Sequence, residues 1–338
     1  MLMLLPTVPV HTVTDSAAVP LKFTVCIAAF RVGTIKHAIA SICRQTWTNW
    51  ELFVIGQGQE NGLRSLVEEC AAQDARVHYL HVEAMGTCRA RNFGITSACG
   101  DVVAFIDDDC EAREDWLAVL AECFAREPET EVVGGALVAP EPPRLPFSTC
   151  PAVAPSDVLY DPVLCGYTVP DGFVIIGCNV AIRTHCFKRL GTFDVHLGPG
   201  TAFPASEDTD FLLRCEAAGV KMRSTPRAVV YHSYGYRSGL RNLIRHSRNY
   251  AWGNGGMAGK LTLLGDPRGR EFVKNTKRQL LTEGLRWKKI HRLPLSLLRV
   301  RHYVRAYRHA LSHYRADQER KMLIPLLSPE AHLTSGTD

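Results

Sequence analysis

The sequence predicts an α/β protein built on a mostly parallel sheet. Three observations lead there. Short β-rich runs alternate with helical patterns of about 10–14 residues through residues 23–231, the mark of βαβ crossovers. The run Val102 to Ile106 is apolar at every position and suits a strand buried on both faces. Glycines such as Gly33, Gly56, Gly62 and Gly100 fall at the joints between runs, where the chain must turn. In such sheets ligands bind beyond the carboxyl ends of the strands.

In order, strands are expected at residues 23–29, 50–55, 77–81 and 102–106, with helices at 35–44, 63–73 and 85–98 between them. A helix from after Asp115 to about Arg126 and a strand at 131–138 follow. Residues 140–170 hold eight prolines and are expected to be irregular. Beyond them come a strand within 173–182, a short helix at 185–190 and a Gly/Pro-rich loop at 197–205 that could order on ligand binding. Ser206, with acids behind it and Phe211, Leu212 and Cys215 in helical register, reads as a capped helix start. A strand at 228–231 closes the body, with His232 just past its end.

Composition narrows the function classes. With 46% hydrophobic and 22% charged residues the chain is an ordinary globular protein, and no apolar run approaches the roughly 18–20 residues of a membrane span. Residues 1–21 start apolar but contain no Lys or Arg, so they lack the basic region of a secretory signal and read as a partly disordered leader. The twelve cysteines are scattered singly between Cys26 and Cys215, without zinc spacing, which favours free thiols in a reducing cytoplasm. Charge is divided. Residues 1–230 hold 18 Lys+Arg against 27 Asp+Glu, a net −9, and residues 231–338 hold 21 against 7, a net +14, giving the +5 of the whole chain. A strongly basic C-terminal region calls for an anionic partner, and no nucleic-acid module is present to supply one.

Two acidic clusters carry chemistry. Asp107, Asp108 and Asp109 end the buried strand, where three carboxylates repel one another unless a cation sits among them. Oxygen ligands so placed suit Mg²⁺ or Mn²⁺. A solvated loop leading to a helix cap is the other reading. Glu207 and Asp208 open a helix about a hundred residues later, where they either cap it or supply a general base.

Four ordered stretches then resemble the family 2 glycosyltransferases, inverting enzymes with the GT-A fold. They are FTVCIAAF with QTWTNWELFVI, GTCRARNFGITSACGDVVAFIDDD, GCNVAIRTHCFKRLGTFD, and ASEDTDFLLRCEAAG with PRAVVYH. The resemblance implies a hexosyltransferase-type enzyme. It would move a sugar from a nucleotide-diphosphate donor, a UDP-sugar first of all, to a hydroxyl of a glycan or lipid-linked acceptor in polysaccharide or glycoconjugate synthesis. It assigns Asp109 as direct metal ligand, Asp107 to metal and donor, Asp108 to either, and His232 as a further metal ligand. Asp208 becomes the catalytic base and Glu207 its neighbour at the acceptor. Arg89 and Arg91 lie along the donor diphosphate and sugar, one of them in contact, with Ala29 and Gln57 beside the donor. The chain departs from the family in two places. Gly56-Gln57-Gly58-Gln59-Glu60 stands where Asp-Asp-Gly-Ser is usual, and Arg31 stands where Asn is common. A nucleotidyltransferase on a related sheet and an inactive nucleotide-sugar or glycan-binding module remain alternatives.

The expected organisation is a leader at 1–21, a GT-A catalytic domain at 22–232 and a basic helical region at 233–338. In that last region Leu297, Val300, Val304, Tyr307, Leu311 and Tyr314 form an apolar stripe beside Arg299, Arg301, Arg305 and Arg308. The stripe either packs on the body or, with its cations, lies on an anionic membrane surface at the cytosolic face.

Overall fold

The computed structural model describes residues 20–139, 147–148, 152–232, 237–285 and 293–326. Nearly all of the expected leader, and Pro140, Pro142, Pro143, Pro146 and Pro151, lie outside the described residues. The chain begins with β1 (Phe23–Ala29), α1 (Val32–Cys43), β2 (Trp50–Gln57), α2 (Leu63–Ala71), β3 (Val77–Val82), α3 (Thr87–Ser97) and β4 (Val102–Ile106). It continues through β5 (Glu111–Ala112), α4 (Trp116–Arg126), β6 (Thr130–Val138), β7 (Phe147–Ser148), β8 (Val158–Tyr160), β9 (Asn179–Arg183), α5 (Thr184–Leu190), α6 (Glu207–Ala217) and β10 (Lys221–Tyr231). The C-terminal part is β11 (Arg237–Ser238), α7 (Leu240–Leu263), α8 (Arg268–Leu285), α9 (Leu293–His313) and a hairpin of β12 (Tyr314–Asp317) and β13 (Met322–Pro325).

The main sheet has the order β3-β2-β1-β4-β9-β6-β10-β5, with β8 on β10. Strands β1, β2, β3, β4, β6 and β10 run one way, while β9, β5 and β8 run against their neighbours. Ala29, Gln57, Val82, Ile106, Val138 and Tyr231 therefore end along one edge, and β9 starts there, with Asn179 opposite Ile106. That edge is where the chemistry collects.

Alternation along the strands builds two cores. Val102, Ala104 and Ile106 of β4 face one way with Phe23, Val25 and Ile27, under α1 and α4. Val103 and Phe105 face the other way with Cys26, Phe187, Phe193 and Phe211. All five residues of β4 are buried, as a strand apolar at every position requires. None of the described cysteines forms a disulfide.

Three expectations are corrected. The strand expected within 173–182 starts only at Asn179. Turns closed by Phe173 N–H to Pro170 O and Asn179 N–H to Ile176 O occupy the residues before it. The strand expected at 228–231 is the end of an 11-residue β10, whose register slips between Ser224 and Val229, around the Pro226 that disguised it. In α9 the fully buried face is Ser296, Tyr303, Ala306 and Ala310, one residue round from the expected apolar stripe. Small residues win there because α7 comes very close.

Helix α7 brings four glycines into seven residues, and they are contact surface. A side chain on Gly255 would strike the Tyr303 carbonyl, and one on Gly259 the Ala310 methyl. A Cβ on Gly253 would sit 2.7 Å from the Ala205 backbone nitrogen, while Gly256 lies against the Phe203 ring. Each glycine costs a helix about 1 kcal/mol, so α7 depends on what it packs against. Next to them Lys260 is fully buried, 2.9 Å from Asp194 Oδ2 and 2.7 Å from Asp210 Oδ1. Asp194 also accepts the Leu323 N–H from β13 at 2.8 Å. Burial works against the Asp194 charge, but Lys260 outweighs it and the carboxyl stays below its ordinary value. One ammonium thus ties α7, α6 and the terminal hairpin together.

Lys260→Met should leave the buried Asp194 without its cation and Asp210 with Arg214 alone, 3.3 Å from its Oδ2. A loss of about 3–5 kcal/mol is expected in chemical denaturation, as for other buried pairs stripped of one partner. A loss below about 1 kcal/mol would mean that the triad is hydrated and weak.

Candidate active site

The three aspartates after β4 are not equivalent. Asp108 is 3% exposed, and its Oδ2 accepts the N–H groups of Phe30 and Arg31 at 2.8 Å each. Its Oδ1 takes the Arg31 guanidinium at 2.6 Å, and its carbonyl takes Thr34 Oγ1 at 2.6 Å. Asp108 therefore pins the loop between β1 and α1, and both its oxygens are taken. Asp109 lies between Arg31 Nη1 at 2.8 Å and His232 Nε2 at 3.3 Å. Burial works against its charge, but the His232 hydrogen bond and Arg31 hold the carboxyl below its ordinary value. Asp107 is the most open of the three and meets Arg91 Nη2 at 3.0 Å. Burial in the crevice raises its carboxyl, Arg91 opposes that, and Asp109 and Asp108 add to it.

Arg91 comes from α3 and is 3% exposed. Its second nitrogen lies 3.4 Å from Glu207 Oε1, so one guanidinium spans both acidic clusters. Arg91 is a strut between carboxylates. The Arg89 side chain, half-buried two residues earlier, makes no ion pair or hydrogen bond among the described residues and is the freer of the two.

The second cluster opens α6, with no Ser206 side-chain cap on it. Ser206 adopts a left-handed backbone (φ 75°, ψ 17°), and its hydroxyl turns to Asn254 Oδ1 of α7 at 2.5 Å. A non-glycine residue held there costs of order 1 kcal/mol and persists only where its surroundings enforce it. Asp208 Oδ2 accepts the Gly177 N–H at 3.0 Å and Oδ1 the Thr209 N–H at 2.7 Å. A Cβ on residue 177 would sit 3.0 Å from the Asp208 Cβ, so glycine is what lets the loop before β9 come so close. Glu207 is buried beside it, and burial pushes its carboxyl up to about 7, with Asp208 adding and Arg91 opposing.

The remaining expected residues are placed as follows. Ala29 is fully buried and exposes no surface to the crevice. Gln57, 7% exposed, accepts the Gly86 N–H at 2.9 Å and so holds the start of α3. The loop at 197–205 is folded on itself and onto that start. Thr87 N–H bonds Pro199 O, Gly198 N–H bonds Phe203 O, and Phe203 N–H bonds His196 O. Sequence reasoning gave Arg31 only as a departure. A cation two residues past a strand that faces three carboxylates was the available signal.

The residues fit a divalent ion. Asp109, Cys110 and His232 bring ligand atoms within 4.8 Å of one another, and the buried His232 Nδ1 has no partner among the described residues. The Cys178 thiol and burial push the Cys110 thiol up, leaving a carboxylate–imidazole set that suits Mn²⁺ or Mg²⁺. Arg31, 47% exposed, supplies positive charge beside Asp108 and Asp109.

A model of the family described as Glycosyl transferase family 2 matches residues 24–149, from β1 through both the Arg91 helix and the aspartates. Over those residues the chain is similar to the family 2 glycosyltransferases. Among proteins similar to this chain, a glucosyl-dolichyl phosphate glucuronosyltransferase of Haloferax volcanii is 25% identical over 186 residues, 53% of this chain and 58% of that protein. A pre-mycofactocin glycosyltransferase of Mycobacterium tuberculosis is 29% identical over 186 residues, 54% of this chain and 36% of that protein. The chain thus spans little more than half of the first relative and about a third of the second. Two solved structures share the fold. One is a mannosyltransferase of Pyrobaculum calidifontis in complex with GDP-Man and Mn²⁺, with a TM-score of 0.56 at 14% identity, covering 87% of this chain and 88% of that one. The other is TarS of S. aureus in complex with UDP-GlcNAc, with a TM-score of 0.58 at 15% identity, covering 85% and 82%. The chain has the GT-A fold expected from its sequence. Glu207, Asp208 and His232 lie beyond the span of the family model.

The raised Glu207 carboxyl makes stability depend on pH. The folded protein keeps a proton between about pH 4.5 and 7 that the unfolded chain has released, so stability falls as pH rises through that window. Glu207→Gln is neutral at residue 207 at every pH and lacks this contribution. Between pH 5 and 8, metal-free wild type should lose on the order of 2–3 kcal/mol relative to Glu207→Gln in urea denaturation. A constant difference would show that Glu207 is charged throughout.

Proposed function

We propose that this chain is a metal-dependent inverting glycosyltransferase. It moves a sugar from a nucleotide-diphosphate donor to a hydroxyl of a glycan or lipid-linked acceptor, in polysaccharide or glycoconjugate synthesis. The observation that carries this reading is the Arg91 bridge, which faces Asp107 and Glu207 into one crevice although 100 residues separate them. The donors named for the two solved relatives support a nucleotide sugar, and a UDP-sugar is the donor proposed here.

In this reading Asp208 takes the proton from the acceptor hydroxyl as its oxygen attacks the anomeric carbon. The bond from that carbon to the diphosphate breaks, its electron pair leaves with the diphosphate, and attack from the opposite face inverts the centre. The N–H groups of Gly177 and Thr209 fix the Asp208 carboxylate, so it need not reorganise during the transfer. Asp109, Asp107 and His232 would hold a divalent ion, which when bound neutralises charge on the leaving diphosphate. Arg89 is the guanidinium proposed to touch the donor, since Arg91 is committed to carboxylates.

Residues 22–232 are proposed as the catalytic unit and 233–338 as a basic region that sits at an anionic cytosolic membrane face. Exposed Arg241, Arg245 and Arg248 on α7, with Arg301, Arg305 and Arg308 on α9, support this, as do Leu240 and Leu297, 68% and 49% exposed. No helix among the described residues is long and apolar enough to cross a membrane.

Asp208→Asn should leave donor binding intact and cut sugar transfer by about 10²–10⁴, the usual worth of a general base. Turnover equal to wild type would remove Asp208 from that role. Asp109→Ala should abolish the Mn²⁺-dependent part of thermal stabilisation by UDP-sugars, and its persistence would place the ion elsewhere.

A further inference from the structure

Outside the crevice, a cavity of about 370 Å³ opens between the loop at 197–205 and helices α7 and α9. Its walls include Thr201, Pro204, Arg248, Trp252, His302 and Arg305, and no acidic residue lines it. Arg248 Nε lies 3.0 Å from His302 Nε2, and His302 Nδ1 lies 2.9 Å from Leu298 O. A chain of bonds in which Arg248 donates to His302 and His302 to Leu298 fixes the imidazole as neutral, with its proton on Nδ1. The guanidinium is thereby aimed, with its terminal nitrogens left over. Trp252 is held as well, its Nε1 donating to Ala202 O at 3.0 Å. Neither Arg248 nor Arg305 meets a carboxylate among the described residues. By contrast the part-exposed Arg113, Arg189, Arg227 and Arg268 each do. Two guanidiniums on one wall, with no acid to separate them, repel each other until an anion enters.

We propose that this groove binds a phosphoryl group attached to a sugar ring, on the acceptor side of the reaction. Arg248 and Arg305 meet the phosphate oxygens, a task for which planar guanidinium is suited, and the Trp252 indole is an apolar platform beside them for the sugar. The position fits an acceptor. The same loop that forms this wall packs through Gly198 against the carboxylate of Glu207, and Ser206 next to it is bonded to Asn254 of α7. An anion seated here would therefore lie on the flank of the Glu207–Asp208 helix start, away from the three aspartates. This assignment rests on the acceptor reading above, but its binding test does not need transfer.

The test is calorimetric titration of the full chain with glucose 1-phosphate and, separately, with glucose. Glucose 1-phosphate should bind more tightly than glucose. Binding should weaken about tenfold or more in the Arg248→Gln/Arg305→Gln double variant, as expected for lost charge-assisted hydrogen bonds, and less in Arg248→Lys. It should persist when UDP and Mn²⁺ saturate the donor crevice. Equal affinity for the two sugars, displacement by UDP with Mn²⁺, or no change in the double variant would each overturn the proposal. Both arginines are surface residues on helices, and an unaltered melting curve confirms that the double variant is folded. Phosphatidylcholine vesicles with and without polyprenyl-phosphate-linked glucose separate the sources. Retention by the vesicles that carry the glycolipid alone, lost in the double variant, assigns a lipid-linked sugar phosphate, and binding of glucose 1-phosphate alone assigns a soluble one. If no nucleotide sugar binds the wild type while glucose 1-phosphate does, the catalytic reading fails and the groove stands.

Discussion

Charge compensation along one edge of the sheet is the constraint on which the rest of the site depends. Asp107, Asp108, Asp109, Glu207 and Asp208 meet there, brought by β4 and α6 from distant parts of the chain. Two like charges 4 Å apart cost about 4 kcal/mol at the effective dielectric of a partly buried site. Five carboxylates could not gather without cations. Arg91 stands between the two clusters, Arg31 beside Asp108 and Asp109, and His232 beside Asp109. At Glu207 burial, with Asp208 adding to it, outweighs Arg91 and pushes the carboxyl up to about 7. Compensation is most complete at Asp108, whose bonds close the β1–α1 loop. One acid set thus divides by what each carboxylate touches: Asp108 closes a loop, Asp109 lies between Arg31 and His232, Asp107 and Glu207 share Arg91, and Asp208 is held by backbone N–H groups.

A second compensation holds the frame. Lys260 lies between Asp194 and Asp210 in a region from which water is excluded, and α7 cannot be drawn away from α6 without exposing or stranding those charges. The glycines of α7 act with it, since they let the helix sit against Phe203, Ala205 and α9 at backbone distance. The loop at 197–205 is consequently clamped from two sides, by α3 through Thr87 and by α7 through Gly253 and Gly256. A loop rich in glycine and proline looks free in a sequence. Here its hydrogen bonds close on themselves, and it serves as a fixed wall between the acidic crevice and the basic groove.

Much of the body was legible because its signals are local. Alternating strands and helices, the apolar run of β4 and the acids at its end follow from patterns of five to fifteen residues, and the elements β1, β4 and α4 fall where those patterns put them. What stayed hidden depends on contacts between distant residues. Nothing near Ser206 says that its hydroxyl will leave the helix end for Asn254. Nothing near Asp108 says that two backbone N–H groups 77 and 78 residues away will claim it. The buried face of α9 was misplaced by one residue because hydrophobicity was weighed and close approach was not. Ala306 and Ala310 are inside since the α7 glycines leave room only for small side chains. Pro226 likewise hid half of β10, which tolerates it at a slip in register.

The two surfaces on either side of the 197–205 wall have opposite sign, and this has a mechanical consequence. In the proposed reading a donor diphosphate entering the acidic crevice would meet carboxylates and need a cation between, such as Asp109 and His232 would hold. An anion entering the groove of Arg248 and Arg305 meets charge that is already unpaired and needs no helper. Fields of opposite sign sort two anionic ligands by whether they arrive with a metal, and at low ionic strength such fields act over about 10 Å or more. The wall also keeps the sorting from collapsing, because a direct pairing of Arg248 or Arg305 with Glu207 would neutralise both sites at once. Clamping that loop through Lys260 and the α7 glycines is therefore as much a condition for two separate ligand sites as it is for stability.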